Sequence, residues 1–511
     1  MAVQRKPAHK SHQKADPLHK GHSLIAAGRI SEALTAFEAA LEADPNSTPA
    51  LSGLGTAAQR LGMIEAAKDF FSKAIMLDPD QIEARGGLAS AYRADDQHDH
   101  AIETLKEGIE RNPSAAPLWL ALGNTVREQG DLEKAETFYR EAANIKPNYG
   151  AALGNLADLL YDKGECDDAM ALYDRAVQGA PKNAQLRVNR AVAALADGDS
   201  SKGWREYEWR FRAMESPLRY HHGLRPWDGK EMADRTLLIA AEQGVGDQIL
   251  FASAIAAAGA LSKSKLIIEC EERLVPLFQR SFPDAQVHAQ NLIEQDGSRH
   301  AKYHWLKDAG GADRAVHLGS LPKILRMNAD WAPEKTNYLC ADKKETQLWS
   351  QWLQVLGTAP KYGLCWRSGK TTGVRAVQYA PLEAWAAFAK QLPGDLICTQ
   401  YDASEAEVSD LSKLIGRPVH MPPKLDQKQD IDRACALLSA LDQVISAPTA
   451  VASQAAALGT PTLKILNTKG WTAMGRADYE PMQPACKLVN GDGSGDWKAT
   501  FEAAKAALAD Q

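Results

Sequence analysis

Cysteine is scarce in this sequence, and what there is does not pair. The seven residues Cys166, Cys270, Cys340, Cys365, Cys398, Cys435 and Cys486 are scattered over 511 positions, with no CxxC among them. That spacing fits neither a zinc site nor a disulfide framework, and it indicates a reducing compartment. Cys270, Cys365 and Cys398 fall in apolar strand-like runs and read as small buried hydrophobes. No stretch approaches the ~20 apolar residues of a membrane-spanning helix. The amino end, MAVQRKPAHKSHQKA, is basic and lacks the apolar core of a signal peptide, so residues 1–16 are expected to be a disordered tail. His9, His12, His19 and His22 read as solvated polar residues rather than metal ligands. A net charge of −6, with no acidic tail, gives no global reason to bind nucleic acid or an anionic membrane. A cytoplasmic protein is expected.

What is present in quantity is a repeat. Pro45, Pro79, Pro113, Pro147 and Pro181 are each 34 residues apart. Ala33, Ala67, Ala101, Ala135 and Ala169 keep the same phase, followed by Phe37, Phe71, Leu105, Tyr139 and Tyr173. A small-residue column, Gly21, Gly55, Ala89, Gly123 and Ala157, precedes them. The physical reading is a pair of antiparallel helices per unit. Small residues sit where helices touch, and the proline ends the second helix. Such a unit cannot bury its own face, so it stacks on the next. Residues 17–215 resemble the tetratricopeptide repeat family. The aromatic segment Gly203 to Phe211 reads as a capping helix that welds the solenoid to the second half of the chain. A repeat superhelix offers a concave groove for a peptide or partner helix. Asn124, Asn155 and Asn189 lie near the face that lines it, with Asn124 and Asn155 placed to clamp a partner's backbone amides.

The text changes after Pro217. Thr236 to Ala241 is an apolar run, followed by the tight turn Glu242-Gln243-Gly244-Val245-Gly246-Asp247 and then a helical pattern. Strand, glycine turn and helix is the geometry that points helix amides at an anion. Further strands are expected at 265–270 and 315–318. After a helix at 345–356, a second series is expected at 362–366, 395–399, 419–421, 443–446 and 461–466. This alternation implies parallel sheets covered by helices, which bind ligands at the carboxyl ends of their strands.

The ordered segments EQGVGDQILFA, GSLP, GLCWRSG and LDQVISAPTAVASQAAALGTPT resemble bacterial glycosyltransferases of the two-Rossmann, GT-B type that follow tetratricopeptide repeats. The resemblance covers about 220–490. Pro448 stands where such proteins usually carry an Asp, and Gln454 stands near a position that is often His. The fold implied is an α-solenoid followed by two Rossmann-like domains with a cleft between them. The first is expected at 216–344, the donor-binding second at 345–490, and a C-terminal helix at 491–511. The activity implied is metal-independent sugar transfer, without a cofactor, from a nucleotide-sugar donor to Ser or Thr of a protein held by the repeats. The particular group resembled implies flagellin as acceptor and a CMP-activated, sialic-acid-like nonulosonic acid as donor. Two alternatives stay open: a non-catalytic repeat scaffold with a degenerate transferase half, or a transferase acting on a saccharide or lipid-linked acceptor.

Each expected site has a chemical reason. Thr449, Ala450 and Val451 begin a helix directly after a strand, where amides and a hydroxyl grip a donor phosphate; as a bare N-cap, Thr449 would serve the helix alone. Arg367, Ser368, Lys370 and Arg375 offer cations and a hydroxyl for the departing nucleotide, and Gln400 a contact to its base. Gly244 and Gly246 let the backbone approach a ligand. Asp247 and Glu242 are candidate general bases, with helix capping the plainer role for Asp247.

Overall fold

A computed structural model describes residues 16–213, 218–295, 298–369 and 378–509. It divides into two compact units, one ending at Leu156 and the other beginning at Ala157.

The first unit is built of paired helices: Pro17–Ala26 with Ile30–Ala43, Thr48–Arg60 with Ile64–Leu77, Ile82–Ala94 with His98–Arg111, and Ala116–Glu128 with Leu132–Ile145. The turn inside each pair reverses at a left-handed residue. Gly28, Gly62 and Gly130 supply it without strain, and Asp96 supplies it at φ 58°. Pro45, Pro79, Pro113 and Pro147 each stand two residues beyond a helix end, because proline cannot extend one.

Packing between units follows from one exchange of residues. Phe37 and Phe71 are buried, and a Cβ added at Gly21, Gly53, Gly55 or Gly87 would collide with one of these two rings. In the fourth unit the ring is Tyr139, and the position equivalent to Gly53 and Gly87 is Asn155. The tyrosine hydroxyl donates to Asn124 Oδ1 at 2.9 Å, and Asn155 Nδ2 donates to the same oxygen at 2.7 Å. A buried hydroxyl needs a partner, and the units that acquire tyrosine acquire asparagine with it.

The second unit starts inside the helix Gly150–Asp162 and takes in the helices Cys166–Gly179, Ala184–Ala196 and Ser200–Tyr207. The tyrosine pattern continues: Tyr173 donates to Asp158, and Asn189 Nδ2 donates to Asp158 Oδ1 at 2.9 Å. The packing division therefore falls within the repeats, at 156/157, and not at their end near 215. Trp204 and Tyr207 share one buried core with Leu237, Phe251 and Met474. The Trp204 indole donates to the Met327 carbonyl at 3.0 Å, and Tyr161 Oη donates to the Lys469 carbonyl at 3.0 Å.

The rest of this unit holds two main sheets. The first is parallel, in the order Arg225–Pro226, Arg314–His317, Thr236–Ala240, Lys265–Cys270, Gln286–Ala289. Leu237 to Ala240 are buried on both faces, as a helix-covered parallel strand requires. The second has seven strands, in the order Val419–His420, Asp395–Cys398, Lys361–Cys365, Gln443–Ser446, Thr462–Leu466, Gln483–Asn490, Tyr479–Glu480. Only Tyr479–Glu480 runs antiparallel among its pairs. The strands Gln286–Ala289, Tyr479–Glu480 and Gln483–Asn490 were not expected. Nor was a three-stranded sheet of Arg219–Tyr220, Ser298–Ala301 and Leu292–Gln295. The chain described ends in the helix Trp497–Ala509.

The helix expected from Gln248 onward is two, Val245–Ala252 and Ile255–Ser262, meeting at 48°. At the break, Ser253 Oγ donates to the Leu250 carbonyl at 2.7 Å. Among the described residues no single helix is long and apolar enough to cross a membrane. The bent pair meets that test by length and composition, but its apolar residues fill the core of the first sheet.

Candidate functional site

The two sheets each deliver a strand, a tight turn and a helix start, and the two helix starts meet. Thr236–Ala240 leads through a turn to the helix Val245–Ala252, with Gln243 left-handed at φ 62°. Gln443–Ser446 leads to the helix Ala450–Ala457. A Cβ placed on Gly246 would stand 3.3 Å from both Cα and Cβ of Ala450.

Thr449 stands at the N-cap of its helix, but its side chain makes no capping bond. Its hydroxyl instead lies 3.1 Å from Ser446 Oγ and 3.4 Å from Cys365 Sγ. The first-turn amides thus have no side-chain acceptor from the N-cap, which leaves them as anion donors. Beside them is a cleft of ≈190 Å³ lined by Val245, Arg273, Tyr401, Gln427, Lys428 and Gln454, with Ala450 and Val451. Arg273 crosses it. Its Nε donates to Glu271 Oε1 at 2.8 Å and its Nη1 to the Lys428 carbonyl at 2.6 Å. Gln427 Nε2 donates to the Cys398 carbonyl at 3.1 Å. The volume is below the ~300 Å³ at which whole-ligand pockets begin. It accommodates a phosphate or a sugar-sized fragment.

Asp247 lies half-buried on the first turn, and its Oδ2 accepts the Gly244 amide at 3.4 Å. Burial raises its pKa, and the charge of Glu242 adds to this, while the Gly244 amide opposes it. Glu242 sits deeper. Arg210 Nε and Nη2 donate to its two carboxylate oxygens at 2.8 and 2.7 Å, and the Gly319 amide donates to Oε1 at 2.7 Å. Burial works against the Arg210 charge, but Glu242 outweighs it and the guanidinium is held more firmly protonated. A carboxylate with both oxygens so engaged holds the Gly319 loop against the short helix Arg210–Ala213.

Several expected donor contacts are spent internally. Arg367 is gripped by Glu407 through Nε and Nη2, at 2.8 and 2.6 Å, and by Asp402 through Nη1 at 2.9 Å. Gln400 is buried; its Oε1 accepts the Trp366 and Arg367 amides at 3.1 and 3.0 Å. It therefore braces the loop that was expected to present Arg367. The Ser368 carbonyl accepts Arg367 Nη1 at 3.4 Å. Lys370 and Arg375 lie outside the described residues. Asn124, Asn155 and Asn189 form the inter-unit hydrogen bonds already given. Ala450 and Val451 line the cleft and Gly246 packs against Ala450, whereas Gly244 is exposed on the turn. Arg273, Gln427 and Lys428 were not expected. All three come after a strand's carboxyl end, the position at which open sheets bind ligands.

A second polar group lies inside the first sheet. Glu269 is fully buried; its Oε2 accepts the Ala241 amide and Tyr303 Oη, each at 3.0 Å, while Oε1 has no partner. Burial lifts its pKa to about 7, against those two donors. His317 is pushed down to about 3, by burial and then by Arg210.

Known proteins divide along similar lines. The tetratricopeptide repeat profile matches residues 24–74, 62–124 and 126–195. A thermophilic repeat protein of Thermus thermophilus, TTC0263, is 31% identical to this chain. It covers 35% of this chain and 97% of its own, at a TM-score of 0.33. Human Protein O-mannosyl-transferase TMTC1 is 26% identical over 168 residues, which are 32% of this chain and only 19% of that protein. Protein FlbA of Caulobacter vibrioides is similar from repeats through sheets: 32% identical over 495 residues, 94% of this chain and 82% of that one. Identity of that degree over nearly all of this chain and four-fifths of FlbA places this tetratricopeptide-repeat chain in the FlbA family.

Proposed function

We propose that the chain is a glycosyltransferase of GT-B type, moving a sugar from a nucleotide-sugar donor to a Ser or Thr hydroxyl of a protein held by its repeats. The observation that carries this reading is the convergence of two helix starts, at Gly246 and Ala450, on a cleft edged by Arg273 and Lys428. The free amides of Ala450 and Val451, with these two cations, offset the charge that grows on the leaving nucleotide. Tyr401 and Gln427 line the same cleft and border the donor. Asp247, its proton affinity raised by burial, faces the acceptor as general base. In the step itself the acceptor oxygen bonds to the anomeric carbon. The bond from that carbon to the donor phosphate oxygen breaks, the nucleotide leaves with the electron pair, and the hydroxyl proton passes to Asp247. No step requires a metal.

The repeats raise the local concentration of acceptor near the cleft. TMTC1, named as a protein O-mannosyl-transferase, lends coarse support to sugar transfer onto protein. The architecture's resemblance to one group of such fusions points to flagellin as the acceptor and a CMP-activated nonulosonic acid as the donor, in the cytoplasm.

The test is intact-mass measurement of a flagellin acceptor incubated with the full chain and CMP-activated donor. A gain of one sugar mass, lost with Asp247→Asn while acceptor capture persists, supports the reading. Capture without a mass change under saturating nucleotide sugars favours the scaffold instead, the alternative to which the neutralised Arg367 points.

A further inference from the structure

A cavity of ≈490 Å³ lies between the helix Ser200–Tyr207 and the segment 323–328, and it shares no lining residue with the cleft. Its floor is Trp204 and Met327, both buried. The hydrogen bond from the Trp204 indole to the Met327 carbonyl brings two cations to one space, because Arg205 comes directly after Trp204 and Arg326 directly before Met327. Lys323 is the third cation on the lining, and no carboxylate is on it.

These charges are poorly compensated. Lys323 Nζ is 3.7 Å from Glu208 Oε2, while the other Glu208 oxygen is occupied by Arg210 and Ser320. Among the described residues, no salt bridge reaches Arg205 or Arg326, and both are exposed. Arg326, at φ 54°, is the left-handed residue that ends the short helix Leu321–Ile324 and turns the chain into the cavity wall. Asn328 Oδ1 is taken by the Asp330 amide at 3.0 Å, which leaves its NH2 as the available group. The cavity thus offers three cations and an amide donor around an indole floor. A carboxylate has two oxygens to meet four donor groups, whereas a terminal phosphate has three and carries more charge. The volume is that of a small-molecule site.

We infer that this cavity is a second anion site, binding the phosphate monoester or diphosphate of a soluble small molecule apart from the cleft. It stands whether or not the cleft transfers sugar. The experiment is calorimetric titration of the full chain with inorganic pyrophosphate. The expected wild-type isotherm contains a site that R205Q/R326Q weakens at least tenfold and that R273Q/K428Q leaves unchanged. Arg326→Gly, which accommodates the left-handed backbone while removing the guanidinium, should weaken the same site, and near-ultraviolet circular dichroism should report an intact fold in each variant. The inference is overturned if pyrophosphate does not bind at millimolar concentration. It is equally overturned if the only binding seen is lost in R273Q/K428Q and untouched by R205Q/R326Q.

Discussion

Gly246 and Ala450 touch, and a side-chain carbon on the first would be tight: the position a Cβ would take is 3.3 Å from Ala450 Cα and Cβ. The two halves of the α/β part are thereby registered at the point where their helices begin. Gly246→Val should force them apart at a cost of about 1–3 kcal/mol, typical of overpacking. Urea denaturation measures the loss. Nucleotide binding at the cleft should weaken with it, and an unchanged denaturation midpoint would mean that the contact is slack.

Arg210 and Glu242 form a buried ion pair. Removing one member leaves the other charged and uncompensated, which costs about 3–5 kcal/mol. Arg210→Leu should therefore destabilise far more than R210L/E242L, in which no buried charge is left over. Thermal unfolding of the single and double variants decides this. Equal losses would place the two residues outside one another's field.

Glu269 links stability to pH. Its folded pKa is about 7 against an ordinary 4.5, so the folded state holds the proton more tightly than the unfolded chain. Stability is then highest below pH 4.5 as far as this group is concerned, and it falls as pH rises through 7. The full loss is about 3 kcal/mol. Glu269→Gln should flatten this limb of the stability profile between pH 5 and 8. A variant with the wild-type slope would refute the assignment.

On the proposed function, Arg367 is a structural cation and Arg273 and Lys428 are the ones that meet the donor. Arg367→Met frees Glu407 and Asp402 and should cost about 1–3 kcal/mol of stability, as loss of hydrogen bonds between charged groups does. It should leave nucleotide affinity within about twofold, equivalent to ~0.4 kcal/mol. R273Q/K428Q should do the reverse, raising the donor KM with little change in melting temperature. The opposite pattern in paired binding and melting measurements would return the phosphate to Arg367.

Tyr139 and Asn124 join the two helices of the fourth repeat unit. Tyr139→Phe should cost about 1 kcal/mol, and the cost should shrink in an Asn124→Ala background. A double-mutant cycle in guanidinium reads the coupling, which vanishes if the hydroxyl is satisfied elsewhere.

The repeats were legible because each column answers a local demand that returns every 34 residues. A proline two residues past a helix end, or a glycine facing Phe37, carries its reason in the sequence. The pairing of Tyr139 with Asn155 and Tyr173 with Asn189 stands in the same columns, as Phe37 with Gly53 does, so those asparagines can be read as packing partners. The sheets were legible where apolar runs are unbroken: the strand expected at 395–399 spans Asp395–Cys398, and the helix expected at 345–356 spans Lys343–Val355. Gln483–Asn490 was not legible because QPACKLVN opens on a glutamine and a proline and has no unbroken apolar run. It is a strand because Thr462–Leu466 offers it a pairing edge. Arg367 looked like a phosphate ligand because its partners, Asp402 and Glu407, lie 35 and 40 residues away, beyond any local pattern. Arg273 and Lys428 lie 155 residues apart, and only the fold makes them neighbours.

The division at Leu156 and Ala157 sets a rule for how the repeat array can change length. Tyr161, Trp204 and Tyr207, which engage the α/β part, all come after that division. Duplication or loss of a whole 34-residue unit before it leaves each of these residues in its own setting. The same event between Tyr161 and Trp204 would slide Tyr161 by a full unit and put a different residue against Lys469. The array is open to growth and shrinkage at its amino end and fixed in phase at its carboxyl end, so the reach of the repeats can evolve while the cleft stays unaltered.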